Sequence, residues 1–149
     1  MKLEINNLME EENLNKSIND LEGAKSSKRP NFNSYAVQES YNLMDKKLKF
    51  FEPQDLRLMI GQNLGLKYLV PRAINVLKND PLIEAQFFEG DLLLKVLNID
   101  KRYWIDFPEW KEELIKLFKN SSINYDKLDD DDTKWEIYTA YENLTDDTK

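Results

Sequence analysis

Apolar residues along this chain recur mostly at helical spacing. Val37, Tyr41, Met44 and Leu48 follow one another at +4, +7 and +11, one face of a helix. Pro53 is placed to open the next helix, because the first-turn amide needs no intrahelical partner. Leu56, Met59 and Ile60 form its apolar face, and Gly61 and Gly65 mark its end or a sharp bend. Leu66, Leu69, Val70, Ala73, Ile74 and Leu77 then make the longest stripe in the chain. Pro71 interrupts the hydrogen bonding of that stripe but not its pattern. The expectation is a kink, or two helical pieces with Pro71 opening the second.

Punctuation supplies the remaining elements. Ser17 with Asp20 is a capping pair before a short N-terminal turn that Gly23 would end. Residues 23–34, GAKSSKRPNFNS, read as a polar loop. Asn79 to Pro81 is a stop signal. Asp91 can cap a helix carrying Leu92, Leu93, Val96 and Leu97. Asp106 and Glu109, around Pro108, mark another start, followed by the face of Trp110, Leu114, Leu117 and Phe118. A polar loop with the run Asp129 to Asp132 precedes a last helix holding Trp135, Tyr138, Tyr141 and Leu144. Phe87 and Phe88 fall between helices and fit a short extended piece equally well. No segment alternates at period two long enough to argue a strand. The predicted fold is mainly α: a single compact multi-helix domain over 1–149, with at most minor β structure.

Composition then removes whole classes of chemistry. The 149 residues include no cysteine and no histidine. Disulfides, thiolate metal sites and every Ser/His/Asp or Cys/His device are excluded. Carboxylate and lysine chemistry remain open. Glu84 with Glu89, or Asp126 with the aspartate run, are the only acid pairs to consider, and their spacing favours neither. No catalytic residue, cofactor or metal is expected. The aspartate run lacks the spaced ligands and central glycine of an EF-hand loop. The opening residues lack the cationic and apolar regions of a secretory signal, and no apolar run reaches membrane length. A cytoplasmic location is the expectation.

Charge is unevenly placed. The net charge is −7. Between Asp126 and Lys149, nine acidic residues face three lysines, giving 3 − 9 = −6, so the rest carries only −1. Such a field repels nucleic acid and membrane surfaces and attracts basic partners.

With the helices placed, the stretch LRLMIGQNLGLKYLVPRAINVL followed by EGDLLLKVLNI resembles a family of immunity proteins from bacterial contact-dependent growth inhibition systems. Arg57, Gly61, Gln62, Gly65, Pro71, Gly90 and Asp91 are among the residues that carry the likeness, which covers residues 35–99. Glu52 departs from it, standing where the family more often has threonine. The resemblance implies a protein that binds a toxin domain delivered by a neighbouring bacterium, frequently a nuclease, and blocks it without chemistry of its own. Outside the likeness, the acidic segment 126–149 is the candidate toxin surface: Asp126, Asp129, Asp130, Asp131, Asp132, Trp135, Glu136 and Tyr138. Trp135 beside the acidic run has the composition of an interface anchor with a charged rim. The run itself reads either as a solvated, mobile loop or as an electrostatic lure. Arg57 reads as an ion pair with a nearby acid, Asp91 being one candidate, or as a direct toxin contact. The alternative function is an acidic nucleic-acid mimic or a general protein-interaction module. Toxin identity and oligomeric state are beyond the sequence.

Overall fold

The long stripe builds the floor of the molecule. In the computed structural model, which describes residues 11–23, 34–121 and 125–146, Leu66–Asn79 is one uninterrupted helix with Pro71 inside it. Neither a second piece nor a restart at Pro71 is present. Leu69, Val70, Ala73, Ile74 and Leu77 are fully buried, so packing of the stripe offsets the hydrogen bond that the proline removes.

The elements in chain order are α1 (Glu11–Leu14), α2 (Ile18–Glu22), α3 (Tyr35–Leu43), a 3-10 turn (Leu48–Phe50), α4 (Pro53–Gly61), α5 (Leu66–Asn79), α6 (Asp91–Leu97), α7 (Lys101–Asp106), α8 (Pro108–Asn120) and α9 (Asp131–Thr145). There is no strand among the described residues, only two isolated bridges, Ser17 with Lys47 and Glu84 with Glu89. The fold is all-α, as the periodicity predicted. Most of the expected loop 23–34 lies outside the described residues.

Helix α6 is the hub. Its sequence DLLLKVL is apolar nearly all round, and Leu92, Leu93 and Val96 are wholly buried. A short helix of that kind needs neighbours on several sides. α4, α5 and α9 supply them; α8 packs on α5, and α3 on α4. All the buried apolar residues belong to one continuous cluster.

The local signals were read correctly at several ends. Ser17 and Asp20 form the reciprocal cap of α2, and Gly23 closes that helix in the left-handed region at φ 68°. Pro53 opens α4, and Asp55 three residues from Glu52 accepts the Glu52 amide at 3.0 Å. Gly65 caps α5 at φ 63°, where a Cβ would stand 2.6 Å from Ile18 Cδ1. That glycine lets the N-terminal turn lie directly on α5.

Five expectations are corrected. The series Val37 to Leu48 is not one helix: α3 ends at Leu43, Leu48 lies in the 3-10 turn, and the buried positions are Ser40 and Leu43. Asp91 is not the cap of α6; Gly90 takes that place at φ 89°, and the Asp91 carboxylate turns back on the preceding loop. α8 starts at Pro108 with Glu109 in its first turn, as expected, but Asp106 belongs to a helix that the sequence reading did not anticipate. Asp106 ends α7, a six-residue helix too short to show a period, and Phe107 precedes Pro108 as the capping residue. The aspartate run is only half a loop, because Asp129 and Asp130 precede α9 whereas Asp131 and Asp132 already form its first turn. Finally, α9 buries Thr133, Ile137, Ala140 and Leu144 and packs Tyr138 and Tyr141 half-buried against Phe118, so of the expected face only Trp135 turns outward.

Candidate functional site

The start of α9 is built by its own acids. Asp130 is the cap: its Oδ1 accepts the amides of Asp132 at 2.9 Å and Thr133 at 3.4 Å, and its Oδ2 accepts the Thr133 hydroxyl at 3.0 Å. These hydrogen bonds from Thr133 and Asp132 hold its carboxyl below the usual range. Asp131 and Asp132 lie in the first turn, where the helix dipole favours negative charge. A run of like charges is thereby held at one helix end.

The neighbouring turn is tied to the same helix. Tyr138 donates its hydroxyl to Asp126 at 3.3 Å, and Lys134 donates to the Asp126 carbonyl at 3.3 Å. Partial burial, and then the Asp126 charge, push the Tyr138 hydroxyl up. Asp126 and Tyr138 are therefore spent on each other. Asp129, Asp131 and Asp132 are exposed, and their side chains make no hydrogen bond or ion pair among the described residues. Asp131 and Trp135, four residues apart, share the outer face of α9. Trp135 is 68% exposed, whereas Trp104 and Trp110 are buried.

The second component is the turn from Leu82 to Gly90. Asp91 is 1% exposed and organises it, with Oδ1 accepting the Ala85 amide at 2.7 Å and Oδ2 those of Gln86 and Phe87 at 3.0 and 2.9 Å. Burial raises the Asp91 carboxyl, but the amides of Phe87, Ala85, Gln86 and Phe88 outweigh it and hold it below the usual range. Arg57 Nε stands 3.4 Å from Asp91 Oδ2, the ion pair anticipated from sequence. The contact is ionic without an aligned hydrogen bond, since Nε is buried and unbonded. The Phe87 ring lies 4.6 Å from the guanidinium carbon and is itself 63% exposed.

Turn and helix meet at Gly90. A Cβ there would stand 3.1 Å from Ile137 Cδ1 and 3.9 Å from Thr133 Cγ2. This contact sets the acidic start of α9 beside the turn, and two clefts result. Glu84, Phe88, Glu89, Asp129, Asp130 and Thr133 are among the residues lining one, of about 180 Å³. Arg57, Gly61, Phe88, Asp91, Lys95 and Glu136 are among those lining the other, of about 360 Å³. Phe88 is the wall between them. Among the described residues no three acids converge as metal ligands do.

The family model of the CDI immunity proteins matches residues 20–114. The chain belongs to the CDI immunity proteins. CDI stands for contact-dependent growth inhibition, and the matched segment contains the whole of α3 to α7 with the Leu82–Gly90 turn. Neither a curated protein nor a solved structure matches this CDI immunity protein. The sequence reading bounded the likeness at 35–99; the match is wider at both ends. It stops before α9, so the acidic helix lies outside it.

Of the residues singled out from sequence, Asp129 to Asp132, Trp135 and Glu136 are brought together on one exposed helix start. Arg57, Gly61 and Asp91 line the adjoining cleft. Gln62 ends α4 as an exposed capping residue, and Gly65 and Pro71 belong to α5. Sequence reasoning missed Lys95 and the turn aromatics Phe87 and Phe88 as parts of this surface. A signal existed: α4 and α6 each carry one cation, Arg57 and Lys95, amid apolar residues. The chain alone does not say that the two share a cleft.

Proposed function

We propose that this CDI immunity protein neutralises a nuclease toxin domain by covering its phosphate-binding surface with the acidic start of α9. The toxin is captured in the cytoplasm of the protected cell. The immunity protein contributes no catalysis, and nucleic acid and membranes are not its partners. The observation that supports this reading is the fixed cluster of Asp129, Asp131 and Asp132, exposed and held by the Asp130 cap beside the outward-facing Trp135. Nuclease surfaces that hold phosphates are basic, and a preformed acidic patch raises their capture rate and selects among partners. No helix among the described residues is long and apolar enough to cross a membrane. Side-chain chemistry agrees with passive blockade, because the chain has no histidine or cysteine.

The test is binding kinetics against the toxin domain encoded beside this gene, at several salt concentrations. Changing Asp129, Asp131 and Asp132 together to Asn, with the Asp130 cap left intact, is expected to slow association roughly tenfold at low salt and to flatten its salt dependence. Trp135→Ala is expected to act on dissociation instead, with the salt dependence unchanged. Unchanged association for the triple variant sinks this placement of the interface.

A further inference from the structure

We infer that the cleft between α4, α6 and α9 is a receptor notch for a carboxylate side chain of the bound toxin. The inference rests on the immunity reading above and adds a contact of opposite sign to it. In a chain of net charge −7, this cleft gathers two cations, Arg57 and Lys95. Lys95 makes no ion pair among the described residues. Its side chain crosses Gly61, where a Cβ would meet Lys95 Cδ at 3.3 Å and Nζ at 3.7 Å. The absence of a side chain at position 61 is what lets the ammonium lie in the cleft.

Arg57 has an ion-pair partner, yet its Nε makes no hydrogen bond. Asp91 is already satisfied by backbone amides at 2.7, 3.0 and 2.9 Å, and its contact with Arg57 is not an aligned hydrogen bond. Asp91 below and the Phe87 ring at 4.6 Å fix the plane of the guanidinium. A guanidinium set between Asp91 and the Phe87 ring presents a planar fork that matches one carboxylate in bidentate geometry. Ile60, Phe88 and Leu94 supply apolar wall for the methylenes of an aspartate or glutamate. A polyanion is excluded, because Glu136 lines the same cleft and the aspartate run stands at the start of its helix. An alternation of charge, acidic helix beside cationic notch, fixes the register of a partner in a way that a uniformly acidic patch cannot.

The experiment pairs Arg57→Lys and Lys95→Gln with single Asp→Asn and Glu→Gln changes in the adjacent toxin domain. Arg57→Lys keeps a cation opposite Asp91 but loses the fork; Lys95→Gln disturbs no ion pair. Each is expected to weaken toxin binding by about tenfold, mainly through faster dissociation. One toxin carboxylate variant is expected to add no further loss in the Arg57→Lys background. Should Arg57→Lys lower the melting temperature, Lys95→Gln alone decides. Wild-type affinity in Lys95→Gln, or loss that couples to no toxin carboxylate, overturns the notch and leaves the immunity reading standing. Failure of the wild type itself to bind the toxin overturns both.

Discussion

Replacing Asp91 with alanine is expected to remove a large share of the stability of this protein. The side chain is fully enclosed and accepts three backbone amides while facing Arg57. Hydrogen bonds to a charged acceptor contribute about 1.5–3 kcal/mol each, and breaking a buried ion pair from one side costs about 3–5 kcal/mol. These contributions overlap and do not add. Gln86 and Phe87 are exposed, so water reaches part of the released turn. The net loss is therefore expected at roughly 3–5 kcal/mol, lowering the melting temperature by roughly 6–20 °C for a chain of this size. Asp91→Asn keeps one acceptor and no charge and should fall between. Chemical denaturation followed by tryptophan emission measures the loss, since Trp104 and Trp110 are buried. Hydrogen exchange should show amides 85–87 losing protection first. The pH dependence has a definite sign. Asp91 is held below its ordinary value of 3.8, so its contribution is complete above that value and is lost as pH falls through the lowered one. The gap between wild type and Asp91→Ala should stay constant at neutral pH and narrow below about pH 4. An Asp91→Ala protein within about 0.5 kcal/mol of wild type at pH 7 refutes the reasoning.

Two further outcomes test the scaffold. Leu69→Ala and Leu77→Ala, both at fully buried positions of α5, should each lose roughly 2–5 kcal/mol in denaturant titrations, and protection against toxin should fall with the folded fraction. Gly65→Ala should cost about 2–4 kcal/mol, because it adds a clash with Ile18 Cδ1 at 2.6 Å to the penalty of a left-handed residue. Gly23→Ala, at φ 68° with open space around it, should cost only the conformational part, about 1–2 kcal/mol. Equal losses for the two glycines would mean that α2 does not rest on α5.

Elements with dense apolar spacing and clear punctuation were legible in the sequence. The α5 stripe, the Pro53 start and the Ser17 cap each follow from local rules that tertiary packing did not override. The failures have physical causes. α7 has six residues, fewer than two turns, so no period can accumulate. In α9 two series share helical spacing: Trp135, Tyr138 and Tyr141, and Thr133, Ile137 and Ala140. Thr133 and Ile137 pack beside Gly90 while Tyr138 and Tyr141 pack on Phe118, so both series reach the core and only Trp135 is left outside. The aspartates read as a loop because like charges repel, yet Asp130 is a capping residue and the helix dipole tolerates the next two. The candidate surface was half legible. The acids and Trp135 stood out by composition, whereas the turn and the Lys95 cleft are products of three helices meeting.

The junction at Gly90 separates what the fold requires from what a partner requires. Gly90 and Asp91 lie within the segment shared with the CDI immunity proteins, and α9 lies beyond it. α9 docks through Thr133, Ile137, Ala140 and Leu144, which are small or aliphatic and make few demands on sequence. Its outward positions, Asp131, Trp135 and Glu142, are exposed on the opposite side and contribute little to the core. Surface positions of that kind change at a cost within about 0.5 kcal/mol, well below the roughly 2–5 kcal/mol of the buried leucines of α5. A partner-selecting face built there can be rewritten without unfolding the scaffold. The notch obeys the opposite logic, since Arg57 is bound to Asp91 and Asp91 to the turn. The proposed contact surface would thus join a part free to vary with a part the fold itself holds in place.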